Sequence, residues 1–439
     1  MQTSPTTKNG LSKKQNNEEF RSYRFFPLFA MCFLRTFFYS IYSLALPNIL
    51  IFEYNFSSRL VGTISSVGSI AYIMGPFFGR KVTEKFGIKK TLIYSQTIGV
   101  IAIIISIIYI DPVVLIIMRA IDGFLTGFFW PNAFNLITSW EKSCKKEKKI
   151  NFLRYFNFSW NFGLIGGFLA GYIIVLFLGQ DLIALIVSAF LAGLIIPSAF
   201  FLETSEEFEV LEDQAVVYQD LKLRTKIIAD TPTPSSQIKI SISKTVDSPI
   251  DKDSMKDIPI ILAWGGILLY ASTKSIFRFT IPYFFKFAEM DSYWVYVVVL
   301  FQQVFQIIGL SMVQKFKKQR FGYFIGVFIL IGFTLSFLFN PSIWVISIIN
   351  IISGFCIGLV QGVTQRIVLD HSKSSGSRRY TMINEMFMGI SFGIIPLIAG
   401  FLTEFDIIYD FIFLSAELII LAILLITVHQ KHVNSTNLE

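Results

Sequence analysis

The sequence predicts an all-α polytopic membrane protein, with twelve transmembrane helices arranged as two six-helix bundles. Three observations lead there. Of 439 residues, 53% are hydrophobic and only 15% charged, whereas a soluble domain carries roughly 25% charged residues. Twelve apolar segments of at least 20 residues punctuate the chain, and about 20 helical residues cross a bilayer core of about 30 Å. Lysine and arginine gather in alternate loops. A water-soluble enzyme and a disordered chain are both excluded by that much apolar surface.

The predicted helices are 25–51, 60–79, 91–110, 112–136, 152–177, 181–202, 258–284, 293–313, 321–340, 342–365, 380–403 and 407–429. They are too long for strands and mostly apolar on every side. In lipid the backbone must satisfy its own hydrogen bonds, which a helix does. The tightest turns fall at Asp111-Pro112 and Asn340-Pro341, because the residue before proline is pushed out of the helical region.

Charge placement sets the expected orientation. The N-terminal tail, loops 2–3, 4–5, 8–9 and 10–11, the middle segment and the C-terminal tail carry nearly all of the 38 basic residues. The opposite loops hold Arg59 and Lys286. Both termini are therefore expected in the cytoplasm, in a cell membrane. The net charge of +8 is topological, and no nucleic-acid partner is expected. The N-terminus has no short apolar core with a cleavage site and is expected to be retained. Cys32, Cys144 and Cys356 fit no zinc or redox spacing, and the three histidines are His371, His429 and His432. No cofactor or metal is expected, and neither is a catalytic role.

Residues 203–256 interrupt the pattern with acids at Glu203, Glu206, Glu207 and Glu209 and a Thr231-Pro232-Thr233-Pro234-Ser235-Ser236 run. This reads as a flexible cytoplasmic linker. The expected organisation is a tail over 1–24, a first bundle over 25–202, the linker over 203–256, a second bundle over 257–429 and a tail over 430–439. Paired halves of this kind place a substrate site at mid-membrane between them. The fifth helix of each half repeats a pattern, Phe162-Gly163 to Ala170-Gly171 and Phe392-Gly393 to Ala399-Gly400. Small residues let membrane helices approach closely.

Loop 2–3 runs from Gly79 through Glu84, Lys85, Gly87, Lys89 and Lys90. An ordinary positive-inside loop would have a similar charge. Helix 4 carries Arg119, Asp122, Gly123 and Gly127, and helix 5 carries Gly163, Gly167 and Gly171 at four-residue spacing. In these motifs and in topology the chain resembles the major facilitator superfamily. The family's leading loop glycine would fall at Arg80, with Gly79 one residue early. Phe168 replaces the usual proline of its helix-5 antiporter signature, so antiport is not inferred. The resemblance implies alternating access by rocking of two bundles, with helices 1, 4, 7 and 10 lining the pathway. It also implies that Gly79, Glu84, Lys85, Gly87, Lys89, Lys90, Gly163, Gly167 and Gly171 serve the conformational change.

Ionisable groups at membrane depth are costly and mark functional sites. Arg35 lies about ten residues into helix 1, near the midplane. Its alternative role is an ion pair that packs the bundle. Arg119 and Asp122 share a face of helix 4, either as a local ion pair or as substrate and coupling groups. Lys274 and Arg278 share a face of helix 7; Arg278 can snorkel outward, so Lys274 is the better candidate. Tyr39 and Gln361 complete the expected substrate set of Arg35, Tyr39, Arg119, Lys274 and Gln361, with Asp122 and Arg119 as the coupling pair. Gln302, Gln303 and Gln306 read as interhelical hydrogen bonds. Arg366 reads as an anchor, and Glu385 as an acid near the cytoplasmic end that pairs with a loop base.

Positive charge in a low-dielectric cleft favours anions. The expected function is secondary active transport of a small organic solute, an anion such as a carboxylate or phosphate ester, with the proton as candidate coupling ion. Basic residues on helices 1 and 7 resemble those of the superfamily's organophosphate antiporters. A non-transporting receptor or scaffold of the same fold, and an exporter of amphipathic compounds, are the alternatives. The expected partners are the solute, a proton and the lipid bilayer, and the chain is expected to act as a monomer.

Overall fold

A computed structural model describes residues 25–143, 152–202, 258–313, 319–339, 342–375 and 379–436. The expected tail over 1–24 and linker over 203–256 lie outside the described residues. Among the described residues there is no strand, and twelve helices follow one another. They are α1 (Phe26–Asn48, continued by a π-helical turn over Ile49–Glu53), α2 (Ser58–Phe86), α3 (Ile88–Ile108), α4 (Pro112–Ser143), α5 (Phe152–Leu178) and α6 (Asp181–Gly193, resumed over Ile195–Phe200). The second set is α7 (Ile260–Phe287), α8 (Tyr293–Met312), α9 (Gln319–Ser336, with a 3-10 turn over Phe337–Phe339), α10 (Ile343–Ser375), α11 (Arg379–Leu402) and α12 (Ile408–Thr436). Eleven are long and apolar enough to cross a membrane, and α9 contributes a shorter apolar helix over Tyr323–Ser336. Large apolar side chains such as Ile108, Phe177, Phe190, Phe201 and Ile423 stand exposed. Lipid solvates such side chains, so this is a multi-pass membrane protein.

Local chemistry explains the helix ends. Ser57 caps α2, its side chain accepting from the Leu60 amide at 3.3 Å. Asp111 accepts from the Val113 and Val114 amides at 2.9 and 3.1 Å, with Pro112 in the first turn where its missing N–H costs nothing. Gly87, at φ 80°, separates α2 from α3 in a conformation other residues avoid.

Several helices outrun their predicted spans. α2 reaches Phe86 rather than 79, α4 Ser143 rather than 136, α10 Ser375 rather than 365 and α12 Thr436 rather than 429. Hydropathy marks where a helix leaves lipid, whereas backbone hydrogen bonds continue into water. The expected loop 2–3 therefore shrinks to Gly87, placing Glu84 and Lys85 on α2 and Lys89 and Lys90 on α3. Part of the expected C-terminal tail over 430–439 is likewise helical.

Glycines let the helices touch. A Cβ on Gly75 would meet the Phe124 carbonyl at 2.5 Å, and one on Gly79 the Phe128 ring at 2.8 Å, so α2 lies directly on α4. Gly163 and Gly167 lie against the Phe33 and Phe37 carbonyls of α1. Gly171 faces Tyr296 of α8, where a Cβ would approach the ring at 2.5 Å. The first six helices thus meet the second six through α5 against α8 and α2 against α11, the latter at Gly62, Gly389, Gly393 and Gly400.

Candidate functional site

The basic residues at membrane depth on α1, α4 and α7 form two buried sets, one on each half. In the first, Asp122 of α4 lies between two guanidiniums, 3.6 Å from Arg35 and 3.3 Å from Arg119. Arg35 also donates to Gln96 Oε1 of α3 at 3.0 Å and to Thr126 Oγ1 of α4. The Arg119 guanidinium lies over the Tyr42 ring at 5.1 Å, and that of Arg35 over Phe38 at 5.0 Å. Three residues of spacing put Arg119 and Asp122 on one helical face. Arg35 reaches that pair from α1, whose Phe33 and Phe37 carbonyls lie against Gly163 and Gly167 of α5. The Arg119 Nε is buried and has no partner.

The second set is held by amides. Lys274 Nζ of α7 donates to Gln303 Oε1 at 2.8 Å and Gln306 Oε1 at 2.6 Å, both on α8. Gln306 Nε2 passes the chain on to Gln361 Oε1 of α10 at 2.5 Å. Gln303 Nε2 donates to Asn161 Oδ1 of α5 at 3.2 Å, which crosses between the halves. Among the described residues no carboxylate lies within 4 Å of the Lys274 ammonium. Gln302 instead bonds Asn350 of α10 at 2.7 Å.

Tyr39 stands between the sets. It is half-buried, within electrostatic reach of Arg35, Arg119 and Arg278, and Arg278 in turn acts on Lys274. Two expectations need correction here. Arg278 does not snorkel away: its guanidinium lies over Phe168 of α5 at 5.5 Å, and its Nε is buried without a partner. Glu385 does not reach for a loop base: it is buried and accepts from the Tyr72 hydroxyl of α2, joining α11 to the other half. Arg278, Glu385, Gln96 and Asn161 thus join the site. An outward arginine and an inward one look alike in sequence, and only the spacing of Arg278 from Lys274 pointed to it.

The described bonds between the halves extend from this level to the end of the molecule that carries Asp181. Asp181 of α6 accepts from Ser292 Oγ at 2.5 Å, the Tyr296 hydroxyl at 2.9 Å and Asn48 Nδ2 at 3.3 Å. Lys286 Nζ reaches the Ile51 carbonyl at 2.5 Å and Asn55 Oδ1 at 2.6 Å. Arg59 lies over Phe401 at 4.3 Å. Of the motif residues at the opposite end, Glu84 accepts from Arg80 Nε at 2.7 Å on an exposed surface. Gly87 supplies the turn beyond it. Arg366 pairs with Asp370 at 4.0 Å on its own helix. Among the described residues no group of three His, Cys, Asp or Glu side chains is placed to hold a metal ion.

The comparisons with known proteins agree with this architecture. Residues 28–242 and 263–438 match the sequence profile of the Major Facilitator Superfamily. Among curated proteins no relative matches. Among solved structures, the nucleoside transporter NupG superposes with a TM-score of 0.62 at 13% identity, covering 92% of this chain and 99% of that one. A mutant form of NupG gives 0.65 at 14% identity, with coverage of 92% and 99%. A D-xylose-proton symporter gives 0.62 at 13% identity, with coverage of 91% and 96%. The chain therefore belongs to the Major Facilitator Superfamily, and with it to the secondary transporters rather than to the enzymes.

Proposed function

We propose that the chain carries an anionic organic solute, a carboxylate or phosphate ester, between its two halves by alternating access. One observation carries this reading. Arg35 and Arg119 share the single carboxylate of Asp122, Lys274 has none within 4 Å among the described residues, and the Arg119 and Arg278 guanidiniums each keep a buried, unfilled N–H donor. Fixed positive charge away from water attracts anions, and unfilled guanidinium donors suit carboxylate or phosphate oxygens. In this reading Arg35, Arg119 and Lys274 hold the anionic group, while Tyr39 and Gln361 accept or donate to the rest of the solute. A solute that engages Arg119 competes with Asp122 for the same guanidinium. A proton arriving on Asp122 relieves that competition, so Asp122 and Arg119 together can couple the two movements.

The topology completes the proposal. The halves are residues 25–202 and 257–429 in a cell membrane, with both tails cytoplasmic, as the excess of basic residues on one side demands. The Asp181 end then faces outward, and the structure is the one closed to the outside. Cysteines introduced in 1–24 and in 430–439 should react with an impermeant reagent from the same side only; reaction from opposite sides contradicts the topology.

A neutral, hydroxyl-rich solute is the second reading. The amide chain of Gln303, Gln306, Gln361 and Asn161 suits hydroxyls, and NupG and the xylose symporter are named for such solutes. Uptake into proteoliposomes separates the two. Labelled organic anions should enter and compete with one another, nucleosides and xylose should not, and Arg35→Gln with Lys274→Gln should abolish anion uptake. Anion uptake unaltered by both substitutions contradicts the first reading.

A further inference from the structure

Two acids of α12 take no part in the central cluster. Asp410 and Glu417 are seven residues apart, two helical turns, so they share one face. That face lies on α7, which runs antiparallel to α12. Ser272 Oγ donates to Glu417 Oε1 at 2.7 Å. Eight residues on, Thr280 Oγ1 donates to Asp410 Oδ2 at 3.2 Å, and Thr403, just past α11, adds a bond at 2.7 Å. All the donors are neutral hydroxyls. Asp410 is 0% exposed, and each acid keeps one buried oxygen without a partner, Asp410 Oδ1 and Glu417 Oε2.

The surroundings supply no cation. Among the described residues, no lysine or arginine lies within 4 Å of either acid. On α7, Lys274 and Arg278 are turned to Gln303, Gln306 and Phe168. α7 presents instead Tyr283, one turn beyond Thr280, 5% exposed and with an unpartnered hydroxyl. Tyr283 is within electrostatic reach of Asp410 and of Glu404 in the α11–α12 turn, which adds charge of the wrong sign. α9 and its 3-10 turn carry no charged side chain from Tyr323 to Phe339. On α11, Glu385 faces Tyr72.

A bare carboxylate in such a place costs several kcal/mol, and hydroxyl donors offset only part of that. Two of them about 10 Å apart on one helix compound the cost. We propose that Asp410 and Glu417 form a proton-binding pair between α7 and α12, apart from the central cluster, with a proton on each in this conformation. Protonation removes the charge and turns the unfilled oxygen into a donor. The same helix, α7, carries Lys274 and Arg278 on its other side, so proton occupancy on α12 bears on the helix that holds the cations.

Infrared spectra of the full-length protein in liposomes, at neutral pH in sodium-free potassium buffer, test this without any solute. The difference between wild type and Asp410→Asn, and between wild type and Glu417→Gln, should each contain a protonated-carboxyl C=O stretch, the two adding in the double variant. Thr403→Val keeps Asp410 but removes a donor, and should move its stretch to higher frequency; Ser272→Ala should do the same for Glu417. These two variants keep the assignment testable if changing the acids themselves prevents folding. Ionised-carboxylate bands in place of the C=O stretch overturn the proposal. So does loss of the stretch on adding sodium, which would make the occupant a metal cation.

Discussion

The two halves solve the same problem in different ways. In the first, buried guanidiniums are balanced by a carboxylate, with Asp122 between Arg35 and Arg119. In the second, a buried ammonium is held by the dipoles of Gln303 and Gln306, with no carboxylate within 4 Å among the described residues. A counter-ion neutralises charge and fixes geometry. Amides fix geometry and leave the charge standing. The difference teaches where an anion gains most: the second half offers positive charge that nothing else has claimed, while the first offers charge that must be released from Asp122.

Breaking the first half should have the largest effect. Asp122→Asn leaves two buried guanidiniums without their counter-ion and should cost about 3–5 kcal/mol, read as a fall in the unfolding midpoint of the detergent-purified protein. The second half should be more tolerant. Lys274→Met removes a charge but leaves the oxygens of Gln303 and Gln306 unfilled, for a cost of about 1–3 kcal/mol. A loss as large as that of Asp122→Asn would show that the ammonium is a structural keystone and the contrast false. The packing of α5 on α1, the helix that carries Arg35, can be tested at Gly167, where a side chain would run into the Phe37 carbonyl and Ser40. Gly167→Val should cost about 1–3 kcal/mol and reduce anion binding by displacing Arg35.

Smaller effects sharpen the comparison at the two ends. Asp181→Asn replaces a charged acceptor shared by Ser292, Tyr296 and Asn48, and should weaken the closure by about 1–3 kcal/mol. Spin labels at Glu53 and Glu289 should then report a larger share of long distances. At the other end, the Arg80–Glu84 pair is exposed on both sides. Glu84→Gln should change stability by less than about 0.5 kcal/mol, so any large effect on flux would be conformational.

The rods of the fold were legible because hydropathy reports lipid contact directly. α9 illustrates this: its predicted span over 321–340 is helical over Gln319–Ser336 and continues as a 3-10 turn over Phe337–Phe339. The tail of α2 shows the limit, since Arg80 to Phe86 look like a loop by charge yet keep helical bonds. In the site, Arg35, Arg119, Asp122 and Lys274 stood out because any charge at that depth is costly. Glu385 and Arg278 were misplaced because their directions depend on partners distant in sequence, Tyr72 and Phe168. Gln96 and Asn161 carried no signal at all, since a lone amide on an apolar helix is as often a packing contact as a ligand.

The central claim is that unclaimed positive charge between the halves selects an anion. A thermal-shift panel on the purified protein addresses it most directly, using matched pairs of metabolites with and without a phosphate or carboxylate. The account predicts that the anionic member of a pair raises the unfolding midpoint, the neutral member does not, and Lys274→Gln with Arg278→Gln removes the difference. Equal stabilisation by neutral partners, or a shift that survives both substitutions, would contradict it.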